Sequence, residues 1–237
     1  MVTHGVTYVA WGRCIEEAER SAESAKIFGL KTCLIAPSYN GNIFDEFVKT
    51  RKKLTIPADK ALVHDLSPWG VTLYLDSETI ILGDLKFGFD MALKHGIALA
   101  IAPACFARHH WKIKTIPEDL PDYNSGMFFF NSYHPKMKGF WKIFRKELAN
   151  CSRYRWRRDN DQPALSVLLY RHGINPYVLP QNWNLRPQYG MTNGYGPIKI
   201  WHSRCPIPKD FDTAQNGWWT LEGREPFSRL WKGRMSE

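Results

Sequence analysis

The chain has 237 residues, 44% of them apolar, and a formal net charge of +9, so it can bury a core without disulfides or a structural metal. Its five cysteines, Cys14, Cys33, Cys105, Cys151 and Cys205, are odd in number and form no CxxC, which argues against a disulfide framework and a structural zinc site. No apolar stretch nears the ~18 residues of a membrane span, residues 1–10 lack the basic start and apolar run of a signal peptide, and reduced thiols in a cytoplasmic protein are the simplest reading.

Residues 6–11 (VTYVAW) are strand formers that stop at Gly12. Over residues 15–28, Ile15, Ala18, Ala22, Ala25 and Phe28 recur at helical spacing. Glu16, Glu17 and Glu19 sit near that helix's positive end, and Gly29 can close it. Residues 31–36 (KTCLIA) read as the next strand, stopped by Pro37. A strand–helix–strand unit predicts a parallel sheet with right-handed crossover. Residues 44–48 are expected in a short helix. Residues 71–75 (VTLYL) read as a buried strand, 80–82 as a short apolar run, and 97–102 and 127–131 as central strands. The irregular, aromatic and basic stretch 105–123 predicts a loop over a site. Met137, Phe140, Trp141, Phe144 and Leu148 line one side of a helix expected over 135–148. Residues 163–170 predict another helix, ended near Gly173, and 177–179 and 198–201 read as late strands. No repeat, low-complexity tract or linker divides the chain. The expectation is one α/β domain over residues 1–205, its central sheet mixed but mainly parallel and flanked by helices. Residues 206–237 form a polar, Trp-containing tail.

The chemistry concentrates where the strand 71–75 ends in Asp76-Ser77-Glu78. In extended backbone, side chains at i and i+2 point the same way. Both carboxylates can therefore face one spot beyond the strand's carboxyl end, the edge at which open α/β sheets bind ligands. Two adjacent carboxylates repel unless a cation or proton intervenes, and Mg²⁺ or Mn²⁺ suits hard oxygen ligands and a diphosphate. An acidic triplet alone is also what a strand-end turn beside a surface acid looks like. The surrounding segments decide between the two.

LYLDSETIILGDL, residues 73–85, resembles the LYLDADT-type signature of GT-A glycosyltransferases, especially the family 8 group. The resemblance implies a GT-A-like, Rossmann-like domain whose acidic triplet holds manganese on the donor diphosphate. Asp76 matches the first acid; Glu78 stands where the second is usually Asp; Ser77 lies between them against the donor. Tyr123-Asn124-Ser125-Gly126, opening the segment YNSGMFFFN, resembles the family's FNSG segment. Asn124, Ser125 and Gly126 are its donor-binding candidates, the last two small enough for backbone to approach a sugar. DNDQP, residues 159–163, resembles the DQ motif that opens a helix near the reacting sugar, making Asp161 and Gln162 the catalytic candidates. Asp161 equally suits a helix N-cap, and Pro163 a first helical turn. LPQNWN, residues 179–184, resembles the family's LP…WN segment. IWHSR, residues 200–204, resembles the strand whose histidine completes the metal site, so His202 would be a third ligand through a neutral nitrogen. The family's following Gly and Lys-Pro-Trp are absent, and Arg204 stands in as a phosphate-binding charge. Ala10 and Trp11, ending the first strand, would meet the nucleotide base. The ordered series spans residues 7–204.

The resemblance thus implies a nucleoside diphosphate sugar, a UDP-sugar foremost, Mn²⁺ or Mg²⁺ as cofactor, and transfer with retention to an acceptor hydroxyl. The acceptor is open between a glycan, a lipid-linked glycan and a nucleic acid. The charge of +9 and pI near 9.3 draw the chain to polyanions, including an anionic inner membrane face as a peripheral contact. Residues 153–158 (RYRWRR) raise a second class, a non-catalytic polyanion or nucleic-acid binder. A third, a nucleotidyltransferase, lacks a Gly-rich phosphate loop after the first strand.

Overall fold

The computed structural model describes residues 3–51, 54, 57–102, 115–149, 161–187, 197–207 and 209. Strand β1 (His4–Val9) leads into helix α1 (Cys14–Ile27) and strand β2 (Thr32–Ala36). Strand β3 (Glu46–Lys49) follows, then a 3₁₀ turn (Pro57–Leu62) running into the short helix α2 (Val63–Leu66). Strands β4 (Val71–Leu75) and β5 (Thr79–Ile81) precede helix α3 (Lys86–His95). Strands β6 (Ile97–Ile101) and β7 (Tyr123–Asn131) lead to helices α4 (Phe140–Ala149) and α5 (Gln162–Arg171). Strands β8 (Tyr177–Leu179) and β9 (Ile200–His202) complete the set.

Seven strands form one sheet in the order β3-β2-β1-β4-β7-β6-β8; β5 and β9 form a separate antiparallel pair. Within the large sheet β7 runs antiparallel to both its neighbours, and the remaining pairings are parallel. This is the mixed, mainly parallel α/β sheet that the strand–helix–strand pattern predicts. Alternate side chains of the central strands feed two cores. Leu73, Leu75, Met127 and Phe129 pack with α1 and α3 residues such as Ala18, Ala22 and Phe89. Tyr74, Phe128 and Phe130 pack with Trp141, Phe144, Leu165 and Leu168 of α4 and α5. Trp141, Trp183 and Trp201 are all core residues. Cys14, Cys33 and Cys205 are free thiols.

Two local expectations change, and one helix is added. The segment around 44–48 is not helical; Glu46–Lys49 is an edge strand parallel to β2. A run this short cannot nucleate a helix unaided, whereas the open edge of β2 offers ready backbone partners. The expected helix over 135–148 is split into a 3₁₀ turn at Pro135–Met137 and α4 from Phe140. Gly139 between them has φ +79°, a conformation outside the right-handed helix. Helix α3 is not announced by the sequence, because Gly88 sits inside it. The fold requires that glycine: a Cβ there would stand 2.4 Å from the Phe129 ring.

Of the remaining expectations, the 105–114 part of the loop expected over 105–123, the basic run 153–158 and the tail at 208 and 210–237 lie outside the described residues; Tyr123, the last residue of that expected loop, already belongs to β7. No helix among the described residues is long and apolar enough to cross a membrane.

Candidate metal centre

Topology explains why distant segments meet at Asp76. Strand β4 delivers Asp76 to the carboxyl edge of the sheet. Because β7 is antiparallel to β4, with Leu75 opposite Met127, the start of β7 lies beside the end of β4. The ladder extends one step further, Asp76 N–H donating to the Gly126 carbonyl at 2.8 Å. Asn124, Ser125 and Gly126 are thereby set beside the acids. Thr79 of β5 pairs with His202 of β9, bringing the histidine to the same place. A directed chain of hydroxyls holds the turn between β4 and β5. Thr79 Oγ1 donates to the Asp76 carbonyl at 2.9 Å, accepts from Ser21 at 2.8 Å, and Ser21 accepts from Tyr8 at 3.0 Å. The buried face of α1 is therefore serine-bearing: it carries a polar path to the site.

Asp76, Glu78 and His202 each offer a ligand atom, all within 4.8 Å of one another. His202 is fully buried. Its Nδ1 donates to the Asn184 side-chain oxygen at 2.7 Å, so the Nε2 lone pair points inward, 3.8 Å from Asp76 Oδ2 and without a hydrogen-bond partner among the described residues. Burial, and next the charge of Arg186, push this imidazole down to about 3, which keeps it neutral and able to ligate. The other carboxylate oxygen of Asp76 accepts from Tyr74 Oη at 2.7 Å and from Lys60 Nζ at 3.2 Å. Burial works to raise the Asp76 pKa, yet Lys60 and the other donors hold it below the ordinary value. Glu78 is shifted up, by burial and then by Asp76. Two carboxylates, one raised and one lowered, beside an orphaned imidazole nitrogen form a hard oxygen–nitrogen donor set that fits a divalent cation.

Gly126 makes this convergence possible. A Cβ there would stand 2.3 Å from Asp76 Oδ2 and 2.4 Å from His202 Cε1. The glycine expected to admit a sugar thus admits the two ligand side chains to each other.

The neighbouring candidates sit around this centre. Ser77 Oγ donates to Glu17 Oε2 at 3.2 Å. Arg204 does not stand free as an anion receptor. Its guanidinium contacts Glu17 at 2.9 and 3.2 Å and Glu78 at 3.4 Å. A cleft of roughly 340 Å³ opens here, lined in part by Glu17, Arg20, Ser77, Glu78 and Arg204. Asp161 precedes α5, but its side chain makes no capping hydrogen bond. It pairs instead with Lys60 at 2.9 Å. Gln162 bonds Asn124 and Asp122. Ala10 is fully buried and Trp11 packs against the second core, both just past the end of β1 on the same sheet edge. Asp84, the last acid of the segment 73–85, lies apart, accepting from the Lys86 backbone at the start of α3.

Lys60, Tyr74, Asn184 and Asp122 complete the site, and sequence reading does not single them out. Lys60 is 6% exposed and sits between Asp76 and Asp161. Burial works to lower its pKa; the charges of Asp161 and Asp76 overcome this and hold it above the ordinary value. No motif surrounds Lys60, and Asn184 lies inside the LPQNWN segment with nothing to mark its role.

No protein-family model and no curated protein matches this chain. Solved structures do. The glycosyltransferase GlyE of Streptococcus pneumoniae TIGR4 has a similar fold, at 18% identity and TM-score 0.59 over 80% of this chain and 48% of that one. The galactosyltransferase LgtC, solved with donor and acceptor sugar analogues, matches at 12% identity and TM-score 0.60 over 97% of this chain and 95% of that one. Mouse xyloside xylosyltransferase 1 matches at 14% identity and TM-score 0.58 over 87% of this chain and 99% of that one. The chain spans about half the length of the pneumococcal protein. Its fold is the GT-A-like fold of these glycosyltransferases, in line with the resemblance in its sequence.

Proposed function

We propose that this protein is a metal-dependent glycosyltransferase that moves a sugar from a nucleoside diphosphate sugar, a UDP-sugar foremost, to an acceptor hydroxyl with retention. The observation that carries the reading is the meeting of Asp76, Glu78 and the Nε2 of His202 at the carboxyl edge of a GT-A-like sheet. Those three side chains would hold Mn²⁺ or Mg²⁺. Such an ion supplies Lewis-acid stabilisation of the negative charge that grows on a departing diphosphate.

The chain's own residues divide the remaining work. Lys60 holds Asp76 ionised and ties it to Asp161, so the two acids share one buried cation. Asp161 and Gln162, at the start of α5, are the candidates beside the reacting sugar. Asn124, Ser125 and Gly126 line the same edge, and Ala10 and Trp11 the position for a base. Arg204 can exchange Glu17 for a phosphate oxygen, because a diphosphate offers the same acceptor chemistry with more charge. The acceptor is a glycan, a lipid-linked glycan or a nucleic acid; the net charge of +9 favours an anionic one. A cytoplasmic enzyme resting on an anionic membrane face fits that charge. A purely polyanion-binding role leaves the convergence on His202 unexplained.

The test is a thermal-shift screen of UDP-, GDP-, CMP- and dTDP-sugars with and without Mn²⁺, followed by UDP release and NMR of the product linkage. A metal-dependent shift with a uridine nucleotide, abolished in Asp76→Asn and His202→Ala, supports the proposal. Unchanged metal-dependent turnover in both variants refutes it.

A further inference from the structure

Four polar groups beside the candidate metal centre form a chain whose direction is set at both ends. At one end the fully buried Asp122 carboxylate accepts from Gln162 Nε2 at 3.2 Å and from the Ser166 hydroxyl at 2.8 Å. A carboxylate has only acceptors to offer. At the other end the Gly126 backbone N–H, which can only donate, bonds Asn124 Oδ1 at 2.9 Å. Asn124 must therefore turn its NH₂ toward Gln162, whose Oε1 accepts at 3.2 Å. Reversing the Gln162 amide would set oxygen against carboxylate and NH₂ against NH₂. Neither end can yield. Asp122 precedes β7, with its carbonyl accepting from Ala102 N–H at 2.7 Å, and Ser166 Oγ also receives the Tyr123 N–H at 2.8 Å.

We infer that Asp122 is a positioning residue: it holds the Gln162 amide with its nitrogen on the Asp122 carboxylate and its oxygen on the Asn124 side. The consequence rests on the glycosyl-transfer reading above. A side-chain oxygen on that flank suits a sugar hydroxyl that donates, or positive charge developing at an anomeric carbon; an amide N–H there would suit neither. Asp122 acts through Gln162 and need not touch a substrate.

A charge cycle on the apo protein tests the contact. Gln162→Glu sets two carboxylates face to face, so one must keep a proton and its pKa rises. Stability is then lost as pH climbs through that raised value, and Tm should fall further below wild type at about pH 8 than at about pH 5. Adding Asp122→Asn restores a donor opposite the introduced carboxylate and should remove both the loss and its pH dependence. A flat profile for Gln162→Glu, or no recovery in the double variant, overturns the proposal. For function, Asp122→Leu, which offers the Gln162 amide no acceptor, should lower the rate of UDP release from UDP-glucose or UDP-galactose with Mn²⁺ by about tenfold or more at saturating donor, while KM stays within about threefold. An unchanged kcat overturns the positioning role. Absence of both Mn²⁺–UDP binding and UDP release in the wild type would sink the glycosyl-transfer reading, while the melting cycle still decides whether Asp122 orients Gln162.

Discussion

The Nδ1 of His202 lies 2.7 Å from the side-chain oxygen of Asn184, which turns the opposite ring nitrogen toward Asp76. The pairing follows from backbone geometry: His202 N–H donates to the Leu185 carbonyl at 2.8 Å, so residue 184 lies alongside the imidazole. A histidine that ligates a metal keeps its orientation and tautomer through such a partner.

Asn184→Ala should therefore weaken Mn²⁺ binding by about 10- to 100-fold while the fold survives. Titration of the free Mn²⁺ electron paramagnetic resonance signal, with and without UDP, measures the change. Asn184→Asp, which still accepts from Nδ1, should retain most of the affinity.

Gly126→Ala should abolish the site, because its methyl would occupy space already held by Asp76 Oδ2 and His202 Cε1. The overpacking should cost about 1–3 kcal/mol in urea denaturation. Ser125→Ala, one residue earlier, should cost less than about 1 kcal/mol. Equal losses in the two variants would show that the close approach at Gly126 is not what matters.

Lys60→Met should be among the most damaging substitutions. It leaves Asp76 and Asp161 facing each other without their shared cation. Removing one partner of a buried ion pair costs about 3–5 kcal/mol. Introducing Asp161→Asn into that background should recover part of the loss in chemical denaturation, since one of the two stranded charges is gone.

His202 gives the pH dependence a definite sign. Its folded-state pKa is depressed to about 3, below the usual ~6.5 of the unfolded chain. The stability contributed by a neutral buried imidazole is complete above about pH 6.5 and is lost as pH falls toward the folded value, at up to about 1.4 kcal/mol per pH unit. Thermal melts from about pH 7 to pH 5 should show this slope in the wild type. His202→Gln should flatten it by about one proton's worth.

Much of this molecule was legible before any fold was drawn. Strands β4 and β8 have the bounds that their apolar runs predict, and the first strand–helix–strand unit is present. The reason is local: alternation, helical spacing and Gly or Pro stops act within a few residues. Helix α3 escaped because its Gly88 is chosen by the Phe129 ring, a tertiary neighbour, against helical preference. The edge strand β3 escaped because a partner strand, not its own pattern, makes it extended.

The candidate site divides along the same line. That Asp76 and Glu78 end a buried strand, and that a histidine closes a later one, is written in residue order. Their convergence depends on an antiparallel β7 beside β4, and on β5 pairing with β9 from far along the chain. Lys60, Asn184 and Asp122 owe their roles to the same long-range pairings, because a buried charge or amide is defined by what surrounds it. Sequence determined which chemical groups arrive at the sheet's edge; only the tertiary arrangement decided which atoms face one another there, since hydrogen bonds and ion pairs act over a few ångströms of space whatever the separation along the chain.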